Sequence, residues 1–322
     1  MTDHSAHPLP PSSDNTDEDS LFERASAAFG LDAMRLAPVP QELASEPVRL
    51  VRDPKRRASP EEHARIAGET EAPPPEPSVS LEGVRHAIDR ERLRRQGLIV
   101  PEAEPTALLE EFRIIKRQLI AAARDNADPA ARRILVCSPL PGDGKTFCAT
   151  NLAIAMAGER DGEVVLVDAD FAKPSIPDAL GLPRGPGLMD ALANPELNVE
   201  DVVLATDIPG LFVLPAGQQI ASDSEWLASA RTAEVLARLS RGAPGRMIVF
   251  DSPPVLAASI AADLARHVGQ AVLVARADST AQSALEDSVQ LLGACPDIKL
   301  LLNATRFSPS GRRFGTYYGF DG

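Results

Sequence analysis

The sequence predicts an α/β fold: a doubly wound, mainly parallel sheet of phosphate-loop type, with helices on both faces. Three observations predict it. From residue 132 onward, six short runs, RILVCS, EVVLVD, LFVLPA, RMIVFD, QAVLVA and IKLLLN, are nearly continuous Val, Ile and Leu, as strands buried on both faces are. Segments of helical length near 146–158, 225–240 and 280–293 fall between them, the alternation of an α/β chain. The first run leads through SPLPGDGKT into an apolar helix, FCATNLAIAMA, and turns from strand to helix of this kind gather at the carboxyl edge of an open sheet. No internal repeat is present.

The elements follow in order. Of the 29 prolines, 14 precede residue 106, and residues 1–80 are rich in Pro, Ser, Asp and Glu. Such a stretch buries too little apolar surface to offset its ordering entropy, so a disordered extension is expected. Its opening, MTDHSAHPLPPSSDNTDEDS, has no basic start and no apolar core, and so does not read as a secretory signal. Residues 81–95, LEGVRHAIDRERLRR, are predicted helical, with Leu81, Val84 and Ile88 on one side and Gly97 and Pro101 as stops. A stronger helix is predicted over 106–124, where Leu108, Phe112, Ile115 and Leu119 recur on one face. Its acids, Glu110 and Glu111, precede its bases, Lys116 and Arg117, the order the helix dipole favours. The tail beyond Asn303 carries glycines at 311, 315, 319 and 322 and is expected to be flexible.

Composition excludes several roles. The formal net charge of −13 opposes non-specific nucleic-acid binding. No run approaches the ~18 apolar residues of a membrane span, so no direct membrane insertion is expected. Cys137, Cys148 and Cys295 lack metal-ligand spacing and read as reduced, packed cytosolic thiols. Of 13 aromatic residues, Phe307, Phe314, Tyr317, Tyr318 and Phe320 fall in the last 16 positions, and those two tyrosines are the only ones. That placement favours a phosphoacceptor over a docking role.

The SPLPGDGKT loop carries the chemistry. Successive backbone N–H groups in such a loop point at phosphate oxygens, and the following helix adds its positive end. The predicted contact set is Pro141, Gly142, Asp143, Gly144, Lys145, Thr146 and Phe147. Gly142 and Gly144 allow close approach, Lys145 reaches the β/γ-phosphates and the Thr146 hydroxyl ligates Mg²⁺. Pro139 stands where the usual pattern has its first glycine. Two further strand ends strengthen the reading: VVLVDADFAKP places Asp168 and Asp170 beyond one strand, and IVFDSPP ends another with Asp251. Three carboxylates and a phosphate loop then share one sheet edge, and ATP or GTP with Mg²⁺ follows.

At these residues the chain resembles the bacterial tyrosine kinases, phosphate-loop proteins unrelated in fold to eukaryotic kinases. SPLPGDGKT resembles the family's variant Walker A loop, VLVDADFAKP its Walker A′ strand with D-x-D, IVFDSPP its Walker B strand, and RFGTYYGF its tyrosine-rich tail. Glu110, Arg113 and Lys116 resemble its E-x-x-R-x-x-R oligomerisation motif. EEFRIIKRQL, the preceding RLRRQGLIVP and the tail are most similar to autokinases of exosortase-A-associated exopolysaccharide loci. The resemblance covers 106–322 well, 84–101 loosely and 1–80 not at all. Lys173 and Lys116 stand where arginine is usual, which keeps charge but loses the planar fork.

The resemblance implies an ATP- and Mg²⁺-dependent protein-tyrosine autokinase regulating exopolysaccharide or capsule synthesis. It implies Lys145, Asp168, Asp170 and Asp251 as catalytic residues, and Thr146, Asp168, Asp170 and Asp251 around the metal. One of Asp168 and Asp170 would orient or deprotonate the tyrosine hydroxyl and the other join the Mg²⁺ shell. Tyr317 and Tyr318 would accept phosphate between subunits of a homo-oligomer. The expected partner is a cytosolic segment of a membrane polysaccharide co-polymerase or chain-length protein, which would recruit the cytoplasmic chain to the inner membrane face. The expected organisation is an extension (1–80), a helical oligomerisation or regulatory segment (81–125), a kinase domain (126–305) and a tail (306–322). A partitioning ATPase of the ParA/MinD kind shares the architecture. Leu140, however, occupies the place of that group's first loop lysine, and the glycine-rich tail is no amphipathic membrane helix. An ATP-gated scaffold for a polysaccharide machine also stays open.

Overall fold

The computed structural model describes residues 79–305, apart from 82 and 161. The expected extension up to residue 78, and the tail from 306 with Tyr317 and Tyr318, lie outside the described residues. Each of the six apolar runs is a strand: β2 (Arg133–Cys137), β3 (Val164–Asp168), β5 (Leu211–Leu214), β6 (Met247–Asp251), β7 (Gln270–Arg276) and β8 (Ile298–Asn303). They lie in the order β5-β3-β6-β2-β7-β8, every neighbouring pair parallel. The chain goes from β2 out to β3 and β5 on one side, returns to place β6 between β3 and β2, and then goes out through β7 to β8 on the other, so the turn after β2 lies near the middle of the carboxyl edge.

The apolar runs are continuous because both faces are covered. Leu135 and Cys137 enter one core, and Ile134 and Val136 the other. On the Ile134 side lie α1 (Arg90–Arg95), α2 (Ala107–Arg124), α3 (Lys145–Ala157) and α4 (Ile176–Leu180). The opposite core takes residues from α5 (Leu188–Ala193), α6 (Asp223–Leu227), α7 (Ala230–Ser240) and α8 (Ile260–Leu264), and Leu285 of α9 (Gln282–Leu291) packs against it. Every residue of α3 from Cys148 to Ala157 is buried. A helix buried on all sides is fixed by its surroundings rather than by one stripe. Among the described residues, no helix is long and apolar enough to cross a membrane.

Two elements differ from expectation. Residues 81–95 do not form one helix. Arg85–His86 is a two-residue strand, β1, paired with β4 (Leu204–Thr206) as the outermost strand, and β4 runs antiparallel to β5. Asp89 explains the late helix start: its carboxylate accepts from Arg92 N at 2.9 Å, capping α1. Leu81 and Ile88 are buried, but Val84 is 80% exposed, so the three do not share a buried stripe. The expected helix over 225–240 breaks in two. The Trp226 carbonyl accepts from the Ser229 and Thr232 hydroxyls at 2.6 and 2.9 Å, and Ser229 restarts the helix as an N-cap.

The 106–124 helix forms as expected, with Thr106 as N-cap. Gln270 ties it to the sheet. Its buried amide donates to Leu119 O at 3.0 Å and Ala131 O at 2.7 Å, while Lys299 donates to its oxygen at 3.2 Å. Gln270→Leu keeps the size but removes both of these bonds and the acceptor for Lys299. It should lower unfolding free energy by about 2–4 kcal/mol, read as a lower urea midpoint with unchanged slope; an unchanged midpoint would refute this role.

Candidate functional site

The loop after β2 is shaped by its own polar groups. Ser138 donates its hydroxyl to Leu140 O at 2.9 Å, and the Asp143 carboxylate accepts from Leu140 N at 3.1 Å and from the Thr280 hydroxyl at 2.9 Å. Asp143 is thus a buried brace whose carboxylate faces inward. Gly142 and Gly144 have φ of +88° and +101°, conformations that side chains with a Cβ rarely adopt. Gly144 precedes α3 without a side-chain cap, so the first amides of that helix remain for an anion. Pro141 is exposed at the rim. The Phe147 ring packs edge-on against Phe112 of α2, centroids 6.4 Å apart, so that residue has only its backbone amide to offer a ligand.

The charged groups converge at the ends of β3 and β6. Asp168 and Asp251 are register partners across the two strands. The Lys145 ammonium lies 3.0 Å from Asp170 Oδ2, 3.4 Å from the Thr146 hydroxyl and 3.9 Å from Asp251 Oδ1. Asp251 is fully buried, and neither of its carboxylate oxygens has a partner at good hydrogen-bond geometry, although the Thr146 hydroxyl and the Lys145 ammonium lie beside it. Burial pushes its pKa up to about 7, against the opposing pull of the Lys145 charge. Asp168 is buried too, which raises its pKa, but backbone N–H groups counter the rise. Its Oδ2 accepts from Ser175 N at 2.8 Å and Ile176 N at 2.9 Å, and its Oδ1 from Asp170 N at 3.3 Å.

These contacts separate the two Walker A′ aspartates. Asp168 turns both oxygens to backbone amides, those of Ser175, Ile176 and Asp170, while Asp170 gives one oxygen to Lys173 N at 3.2 Å and the other to the loop lysine. Among the described residues, no group of three or more carboxylate, His or Cys side chains could hold a metal ion. An oxygen-ligated divalent ion would therefore take few protein ligands and complete its shell with water and phosphate. The buried Asp251 carboxylate beside the Thr146 hydroxyl suits that ion, because the Lys145 ammonium at 3.9 Å compensates its desolvation only in part.

On α2, Glu110 and Arg113 form an ion pair, but Lys116 does not join them on an open face. Its side chain is buried, donates to Ala155 O at 2.7 Å and pairs with Glu159 at 2.7 Å. The inward turn follows from a long apolar stem with a carbonyl acceptor at the end of α3 within reach. Lys173 is exposed. Three contacts on the loop were not foreseen, from Arg276, Thr280 and Asn303. A polar residue closing the apolar run IKLLLN was the available signal for Asn303. The cysteines are buried as expected; burial pushes the Cys148 thiol, in the first turn of α3, up to about 12. A cavity of about 740 Å³ opens at the opposite end of the strands beside Gly162, Gly210 and Arg246, away from these groups.

No family model matches the chain. It is 30% identical over 230 residues to EpsB of Ralstonia nicotianae, covering 70% of this chain and 29% of that protein. Tyrosine-protein kinase YwqD of Bacillus subtilis is 29% identical over 229 residues, covering 70% of this chain and 93% of YwqD. The chain spans about a third or less of the length of the first curated relatives it matches. Among solved structures, the chimerical protein CapA2B2 matches with TM-score 0.51 and 25% identity over 66% of this chain and 98% of that one. The kinase domain of Escherichia coli tyrosine kinase ETK matches in fold, with TM-score 0.52 and 22% identity over 70% of this chain and 98% of that domain.

Folding raises the Asp251 pKa from 3.8 to about 7, so across that window the folded chain holds a proton the unfolded chain has lost. This group's contribution to stability therefore falls as pH rises through it. At pH 7.5 without metal, Asp251→Asn should raise stability by roughly 1–3 kcal/mol, seen as a higher melting temperature. MgADP should raise the melting temperature of the unsubstituted protein, and the variant should lose that rise. A lower melting temperature at pH 7.5 would contradict the strained-carboxylate account.

Proposed function

The chain belongs to the bacterial tyrosine kinases, and from that membership we propose that it is an ATP-dependent protein-tyrosine autokinase regulating exopolysaccharide or capsule synthesis. The observation that carries the proposal is one arrangement: an uncapped helix start, the Lys145 ammonium 3.0 Å from Asp170, and the buried carboxylate of Asp251 beside them. The Gly142–Thr146 backbone cradles the nucleotide phosphates. Thr146 and Asp251 hold Mg²⁺, which when bound neutralises charge on the phosphates. Lys145 leaves Asp170 for the transferring phosphoryl group. Asp170, freed of its lysine, orients the tyrosine hydroxyl and takes its proton as the new O–P bond forms and the bond to ADP breaks. Asp168 holds the Asp170 segment in place. Phosphoryl transfer asks mainly for positioning and charge neutralisation, and this set supplies both.

In this reading Tyr317 and Tyr318 of one copy enter the site of its neighbour. Each phosphotyrosine adds about −1.5 to −2 charge, so a phosphorylated tail is repelled by Asp170 and Asp251 and the oligomer loosens. Glu110 and Arg113 of α2 form the association surface, with Lys116 acting from inside as the brace between α2 and α3. A cytosolic segment of a membrane chain-length protein docks on the cytoplasmic kinase, promotes ATP binding and keeps it at the inner membrane face.

Incubation with γ-labelled ATP, followed by phosphosite mapping, tests the proposal. Lys145→Ala should abolish labelling while the protein stays folded, and full activity in that variant would sink the phosphate-loop assignment. The Tyr317→Phe/Tyr318→Phe chain should label nothing in itself but should phosphorylate an added Lys145→Ala chain. Label that persists in the double Phe chain, on Ser or Thr, would show that the tail is not the acceptor. Reversing the charge of Glu110 or Arg113 should lower oligomer mass in light scattering together with activity, and no change in either quantity would remove α2 from the interface.

A further inference from the structure

The phosphate loop is held from a side that its own motif does not describe. Asn303, the last residue of β8, donates from Nδ2 to Asp143 O at 2.9 Å. Its backbone carbonyl accepts from Ala277 N at 2.9 Å, so one residue joins the end of β8, the segment after β7 and the loop. Thr280, from that second segment, donates to the Asp143 carboxylate at 2.9 Å, and Arg276 reaches Gly142 O at 3.4 Å. A Cβ on Gly144 would overlap the Asn303 amide nitrogen; the Asn303 side chain fills the space that the glycine leaves. Both supporting segments contain a non-glycine residue in the left-handed region, Asp278 at φ 61° and Ala304 at φ 55°. Such residues persist where their surroundings hold them.

We propose that Asn303 is a positioning residue for nucleotide binding: it sets the phosphate loop in its ligand-accepting form before any ligand arrives. The reason is peptide geometry. Across a planar trans peptide the C=O and the following N–H point in opposite directions. Fixing the Asp143 carbonyl toward Asn303 therefore turns the Gly144 N–H to the other side of the loop, and the Lys145 amide follows from there. A loop so held binds phosphate without first giving up conformational freedom. The inference rests on the reading that this loop binds nucleotide phosphates.

Calorimetric titration of the full chain with MgADP, and separately with magnesium pyrophosphate, tests it. Asn303→Ala and the size-preserving Asn303→Leu should each weaken both ligands about tenfold, the scale of one lost hydrogen bond in a preorganised loop. Leu302→Ala, at the preceding and 56% exposed position of the same strand, should bind both within about twofold of the unsubstituted chain. Asn303→Leu binding normally would show that the side chain only fills space and would overturn the proposal. An equal loss in Leu302→Ala would trace the effect to strand stability, with the same result. A loss confined to MgADP would make Asn303 a contact to the nucleoside and also overturn it. Failure of the unsubstituted chain to bind either ligand would instead remove the nucleotide reading itself, and this inference with it.

Discussion

One ammonium group stands against the carboxylates at the carboxyl edge of the sheet. Lys145 lies within reach of Asp170 and Asp251, and the second of these has no partner at good hydrogen-bond geometry. The third carboxylate, Asp168, avoids the same competition by accepting from three backbone amides. This balance constrains the ligand. A phosphate that draws Lys145 toward itself leaves two aspartates uncompensated and adds more negative charge beside them. In a buried site such an uncompensated charge is expensive. A nucleotide therefore suits this edge when a divalent cation accompanies it.

Holding that edge in place falls to the chain that precedes the first central strand. Ile99 N donates to Asn151 Oδ1 at 2.8 Å, which fastens this segment to the middle of α3. Asp89 N donates to Leu180 O at 3.0 Å, and Arg92 reaches Asp178 O, so the end of α4 is fastened as well. Arg90 bridges Glu102 and Asp207. From α2, Lys116 pins the last turn of α3 through Ala155 O. The two helices that start at the phosphate loop and at the Asp168 cap are thus both held from the N-terminal side of the fold.

Much of this was legible in the sequence, and the limits of legibility are physical. Strands buried on both faces are apolar throughout, so β2, β3 and β5 to β8 stood out without any alignment. The two-residue β1 and three-residue β4 are too short to show a period, and they exist because neighbouring strands offer unpaired edges. The phosphate loop was readable because its chemistry is local. Roles that depend on a distant partner were not readable. Asp168 and Asp170 look equivalent in DAD, and what distinguishes them is the backbone of Ser175 and Ile176 on one side and Lys145 on the other. Lys116 continues a charged pattern along α2, and its burial is decided by the end of α3. Asn303 lies 160 residues from Asp143, a separation across which spacing carries no information.

Cys148 gives the nucleotide helix a built-in reporter. Its backbone N–H closes the first turn of α3 onto Gly144 O at 3.0 Å, and its thiol is 3% exposed. Burial holds that thiol in its unreactive protonated form, and the nearby Asp251 charge adds to the effect. An alkylating reagent thus finds no nucleophile while the turn is packed. It reacts only during the moments when the helix start lifts from the core, so its rate counts local opening events rather than collisions. The turn that opens α3 thus carries the atom by which its own breathing can be timed.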